Sequence, residues 1–221
     1  MTPAAVIFDL DGTLVDSAPS AAHAANQALK SLGHPPLPDQ MIRSFIGNGA
    51  DVLMQRCLVA LDQNPDSAAV AEASRAMQDA YAAEPASHSV IYPGVQQLLQ
   101  ALQDAGRPMA ICSNKPAALV PPVLEHFGLD RYFAVITGAG DAPLKPDPTM
   151  LLATCRALGT DPARGLFVGD SEVDAATAKA ADMHFALFSG GYRKSPTSRM
   201  FHHLLFDDHP ALIRQLGVSQ G

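Results

Sequence analysis

The stretch that most constrains the chain is Val6-Ile7-Phe8-Asp9-Leu10-Asp11-Gly12-Thr13. An apolar run from Ala5 to Phe8 stops abruptly at two carboxylates placed two residues apart. A short, uninterrupted apolar run reads as a parallel strand buried on both faces. On extended backbone, residues i and i+2 face the same way, so Asp9 and Asp11 converge on one point. Gly12 lets the chain turn there. Two close like charges at the end of a buried strand are unfavourable without a counter-ion. A hard divalent cation with oxygen ligands, such as Mg²⁺, is the natural partner.

The rest of the chain divides in two. An Ala-rich region predicts helices over 18–30, from 38–41 with Asp39 as a cap, over 51–61 and over 67–83. Residues 45–49 interrupt them, with Asn48 held between two glycines. From Ile91 the pattern alternates. Helices are expected over 95–105, 117–127, 150–158, 173–181 and 210–216, and strands over 107–112, 134–137, 165–168 and 184–188, with a short edge strand at 204–206. Alternation of this kind predicts an α/β fold, a parallel sheet covered by helices on both faces. The organisation is therefore an α/β core over 1–16 and 84–221, interrupted by an all-helical insert over 17–83.

The polar clusters all fall just after strands: Asp9 and Asp11, Ser113 and Asn114, Lys145, and Asp170. In open α/β sheets, ligands bind outside the carboxyl ends of the strands. Asp9, Asp11 and Asp170 can hold Mg²⁺. Asp174, one helical turn after Asp170, can orient a group bound there. Ser113 can hydrogen-bond a phosphoryl oxygen, Lys145 can neutralise its charge, and a helix N-terminus near Ser113 would suit an anion. Acids together with a hydroxyl and an amine point to a phosphoryl group bridging metal and protein.

These clusters resemble, in order, the four motifs of the haloacid dehalogenase superfamily: Asp9-Leu10-Asp11-Gly12-Thr13-Leu14, Ser113-Asn114-Lys115, Lys145-Pro146, and Gly169-Asp170-Ser171 with Asp174. The resemblance covers essentially the whole chain. It implies a Rossmann-like core with a helical cap inserted after the first motif. It also implies that Asp9 is the nucleophile and Asp11 the general acid, then base. Mg²⁺ would be held by the side chains of Asp9 and Asp170 and the backbone carbonyl of Asp11. Ser113 and Lys145 would position the phosphoryl group, with Thr13 and Asn114 in support. The second acid, Asp11, favours a phosphatase or phosphomutase over a dehalogenase. Residues 45–53 and 21–28 are similar to the cap of bacterial phosphoglycolate phosphatases. The expected reaction is therefore hydrolysis of a small phosphomonoester, foremost 2-phosphoglycolate. A sugar phosphomutase, a phosphatase for another small ester and a non-enzymatic phosphate-binding module are the alternatives. Arg43, Arg56 and Arg193 are candidates to grip a substrate carboxylate, Asn48 a candidate to meet the substrate, and Asp16 a hinge or cap residue.

Composition narrows the partners. Lys and Arg total 15 against 22 Asp and Glu, and no basic run occurs, which argues against nucleic-acid binding. No apolar stretch reaches membrane-spanning length. The three cysteines show no metal or disulfide spacing, and the first strand begins too early for a signal peptide. A cytoplasmic enzyme, monomer or homodimer, acting on a small phosphorylated metabolite is expected.

Overall fold

The computed structural model describes residues 2–218. Its centre is a six-stranded sheet whose neighbouring strands all pair in parallel. Strand β1 (Ala5–Phe8) is wholly buried, as its unbroken apolar run requires. A two-residue strand, β2 (Val15–Asp16), follows it. The chain then enters helices α1 (Ala18–Ser31), α2 (Asp39–Arg43), α3 (Ala50–Ala60) and α4 (Ser67–Ala83). It returns through β3 (Val90–Ile91), which pairs antiparallel with β2. This two-strand ribbon is the doorway of the helical insert. Its register places Asp16 opposite Val90, so residues 17–89 lie between the two paired strands.

Beyond the ribbon come α5 (Val95–Asp104), β4 (Met109–Pro116), α6 (Val120–His126) and β5 (Val135–Ala139). They are followed by α7 (Thr149–Ala157), β6 (Gly165–Gly169), α8 (Glu172–Ala180), β7 (His184–Phe188), β8 (Leu204–Phe206) and α9 (His209–Leu216). The sheet order is β5-β4-β1-β6-β7-β8. The motif-bearing strands β1, β4 and β6 are thus adjacent, and their carboxyl ends meet. One apolar cluster, containing Phe8, Leu98 and Leu124, fills one side of the sheet and continues into the insert through Leu29, Met54 and Met77. A second, around Ile7, Phe167 and Phe185, fills the other. Burial on both sides explains why these strands read as continuous apolar runs.

Three local expectations are corrected. Pro38, not Asp39, occupies the cap position of α2, and Asp39 is its first helical residue. The strand expected over 107–112 runs on to Pro116, so Ser113 lies within β4. A 3₁₀ turn at Ala117–Leu119 separates it from α6, which begins only at Val120. Among the described residues, no helix is long and apolar enough to cross a membrane.

Candidate active site

The carboxyl ends of β1, β4 and β6 and the facing side of the insert enclose a cavity of about 440 Å³. Asp9, Asp11, Ser113, Asn114, Lys145, Asp170 and Asp174 all line it, and so does Asn48 from the loop between α2 and α3. Of the expected site residues, Thr13, Arg43, Arg56 and Arg193 do not.

Asp9, Asp170 and Asp174 are buried, and each offers a carboxylate oxygen within 4.8 Å of the others. Lys145 Nζ sits between two of them, 2.6 Å from Asp174 Oδ1 and 3.0 Å from Asp9 Oδ1. Burial opposes the charge on Lys145, but Asp174 and Asp9 outweigh it and hold the ammonium well above its ordinary range. Burial pushes the Asp9 carboxyl up to about 7, against the pull of Lys145. Burial, reinforced by Asp174 and Asp9, likewise raises Asp170 well above the carboxylate range. One lysine does not neutralise three buried acids. Asp9 Oδ1, though close to Lys145, is off-axis and has no hydrogen bond among the described residues. An all-oxygen donor set with surplus negative charge, one oxygen of which lacks a well-aligned hydrogen bond, fits a hard divalent cation.

The three acids are held differently. Asp170 accepts from Thr13 Oγ1 at 3.0 Å and from the Tyr192 backbone N–H at 2.5 Å. Thr13 therefore orients Asp170 instead of lining the cavity. Both Asp174 oxygens are engaged, one by Lys145 and the other by the Ser171 N–H and hydroxyl in the capping box that opens α8. Asp170 accepts one hydrogen bond on each oxygen and keeps a lone pair on each, whereas Asp174 Oδ2 accepts two and its Oδ1 anchors Lys145.

Asp11 has different company. Its carboxylate accepts from Ser17 Oγ at 2.5 Å and from Lys115 Nζ at 3.2 Å. Lys115 also lies 4.0 Å from the centre of the Tyr81 ring, on α4 of the insert. Burial works against this ammonium, and Asp11 and Tyr81 more than offset it. The position of Lys115 two residues after Ser113 on one strand is the signal that both face the cavity.

Asn114 lies against the Lys145 loop, whose Lys145–Pro146 peptide bond is cis. Its amide oxygen accepts from Lys145 N at 2.8 Å and its amide nitrogen donates to Lys145 O at 2.9 Å. Arg43 pairs with Asp16 at 3.2 Å and lies over the Tyr192 ring, while the Tyr192 hydroxyl donates to Asp16 at 2.8 Å. Arg43 thus braces the ribbon at the doorway of the insert. Arg56 donates to the Phe45 carbonyl at 2.9 Å. Neither Arg56 nor Arg193 lines the cavity.

The chain matches the family model for haloacid dehalogenase-like hydrolases over residues 6–188. It is 44% identical over 215 residues to the phosphoglycolate phosphatase of Cereibacter sphaeroides, with 96% of this chain and 98% of that one covered. It is 38% identical over 222 residues to the phosphoglycolate phosphatase of Rhodobacter capsulatus, covering 100% of this chain and 98% of the relative. Among solved structures, a predicted phosphoglycolate phosphatase from Haemophilus somnus superposes with a TM-score of 0.90 at 32% identity, covering 97% and 98% of the two chains.

Proposed function

The chain belongs to the haloacid dehalogenase-like hydrolase family, and on that premise we propose that it is a Mg²⁺-dependent cytoplasmic phosphatase that hydrolyses 2-phosphoglycolate to glycolate and phosphate. The observation that carries the reading is the contrast between two acids two residues apart: Asp9 in the buried acid cluster beside Lys145, and Asp11 outside it with Ser17 and Lys115. Near neighbours in unlike surroundings can do unlike jobs.

In this reading an Asp9 carboxylate oxygen attacks phosphorus. The new O–P bond forms as the ester P–O bond breaks, and Asp11 gives its proton to the departing glycolate oxygen. Asp11, now a carboxylate, takes a proton from a water molecule. That water oxygen attacks the aspartyl phosphate, phosphate departs, and Asp9 is restored. Lys145 and Ser113 hold the phosphoryl oxygens. Mg²⁺, held by Asp9, Asp170 and the Asp11 carbonyl, would neutralise phosphoryl charge when bound. The helical insert over 17–89 acts as a cap that excludes water and selects the substrate, with Asn48 on its contact face.

The test is phosphate release from 2-phosphoglycolate, β-glucose 1-phosphate and nucleoside monophosphates with and without Mg²⁺. The reading expects 2-phosphoglycolate to have the highest kcat/KM, EDTA to stop release reversibly, and Asp9→Asn to abolish it while the fold persists. Interconversion of the sugar phosphate without phosphate release, or full activity of the Asn variant, would overturn it.

A further inference from the structure

A substrate with two anionic ends needs a second cationic site, and the position of that site is limited by the size of the substrate. In 2-phosphoglycolate a single methylene separates the carboxylate from the bridging oxygen. If Asp11 protonates that oxygen, the carboxylate lies beside Asp11.

The cavity offers three cations, Lys115, Lys145 and Lys194. Lys145 is clasped between Asp9 and Asp174, and Lys194 is exposed. The Lys115 side chain is 8% exposed, and its Nζ is 3.2 Å from Asp11. Across it stands Tyr81, itself 4% exposed, whose buried hydroxyl has no hydrogen-bond partner among the described residues. A buried hydroxyl is ordinarily partnered, and an unpartnered one in a cavity wall marks a place for an acceptor. The rest of the insert wall combines Ala21, Ile46, Leu53 and Met77 with the uncharged amides of Asn48 and Gln78, and provides no other charge.

Resting on the phosphatase reading, we propose that Lys115 and Tyr81 form a carboxylate subsite that takes the acid end of the substrate. An ammonium and a hydroxyl, one from β4 and one from α4, would close on the two carboxylate oxygens. The substrate would thus join core to insert. It would also compete with Asp11 for Lys115, releasing the acid from its ion pair when a carboxylate-bearing substrate has arrived. A phosphoester without a carboxylate leaves Lys115 on Asp11 and the Tyr81 hydroxyl unpartnered, so the subsite discriminates by what it leaves unsatisfied.

The experiment compares kcat/KM for 2-phosphoglycolate with that for ethyl phosphate, which replaces the carboxylate by a methyl group. The readout is the ratio of the two, so any general damage from a substitution cancels. Lys115→Met should lower the ratio on the order of 100-fold, about 2.7 kcal/mol. Tyr81→Phe, a change of one oxygen, should lower it about 10-fold. Lys115→Arg, which keeps the charge, should restore part of it. An unchanged ratio in both Lys115→Met and Tyr81→Phe would overturn the subsite, as would a collapse of the ratio in Lys194→Met instead. Absence of phosphate release from either ester by the unmodified protein would overturn the phosphatase reading itself, a distinct failure.

Discussion

Asn114 clasps Lys145 by both ends of its backbone: the amide oxygen accepts from Lys145 N at 2.8 Å, and the amide nitrogen donates to Lys145 O at 2.9 Å. A side-chain amide thereby fixes a loop that has no regular structure of its own, and fixes the lysine on it between Asp9 and Asp174. Asn114→Ala should lower stability by about 1–3 kcal/mol, because it leaves a buried N–H and C=O without partners. It should also lower kcat about 10–100-fold by loosening Lys145. Urea unfolding and steady-state kinetics measure the two effects. Wild-type kcat in the variant would show that Lys145 is placed by something else.

Lys145 has two duties that one substitution can separate. It compensates buried acids and, in the proposed reaction, holds phosphoryl charge. Lys145→Met leaves Asp9 and Asp174 without their shared cation, and breaking a buried ion pair this way costs about 3–5 kcal/mol. The more negative cluster should then bind Mg²⁺ more tightly even as turnover disappears. Calorimetric titration with MgCl₂ reads the affinity. Weaker Mg²⁺ binding in the variant would contradict the electrostatic argument.

The parts of the site that could be read from the sequence are those governed by period and position along one strand. Asp9 and Asp11 announce themselves because a buried strand has no other use for two acids. Asp170 and Asp174 follow from a Gly-Asp-Ser turn into a helix. The strand–helix alternation made the parallel sheet legible for the same reason. The illegible parts depend on contacts between segments far apart in the chain. Arg43 meets Asp16, and Tyr192 meets both Asp16 and Asp170, over separations of 22 to 176 residues. Nothing local to Arg43 distinguishes an arginine that braces a ribbon from one that grips a substrate. Lys115 is an intermediate case. Its spacing from Ser113 was readable, but only the end of β4 at Pro116 shows that both residues lie on one strand.

Tyr192 reaches Asp170 because the chain at Gly191 passes hard against that carboxylate. A Cβ at Gly191 would overlap the Asp170 carboxyl group. Gly191→Ala must therefore displace Asp170 or its own loop, breaking the bond from the Tyr192 N–H. Overpacking of this kind costs about 1–3 kcal/mol. The larger effect should fall on Mg²⁺ affinity, lowered about 10–100-fold as a ligand loses its orientation. Comparing the magnesium concentration for half-maximal activity with the unfolding midpoint separates the two. A stability loss with unaltered magnesium dependence would mean that Asp170 does not hold the ion.

His209 links the C-terminal helix to the first motif and should leave a signature in the pH dependence of stability. Its ring is fully buried, with Nε2 3.0 Å from the Thr13 carbonyl and Nδ1 3.2 Å from the Pro93 carbonyl. A neutral ring can donate to only one of these oxygens. Burial lowers the His209 pKa below its ordinary 6.5, and the two carbonyls only partly oppose the shift. As pH falls, the unfolded chain therefore takes up the proton first. The stability contributed by the neutral ring is fully present above pH 6.5 and is lost as pH drops from there toward the lower folded value. Over that window the slope approaches about 1.4 kcal/mol per pH unit for a single proton. His209→Gln keeps one donor and does not titrate, so its stability should fall less steeply between about pH 7 and pH 5. Urea midpoints across that range for the two proteins provide the comparison. Parallel curves would show that His209 is protonated alike in the folded and unfolded chains.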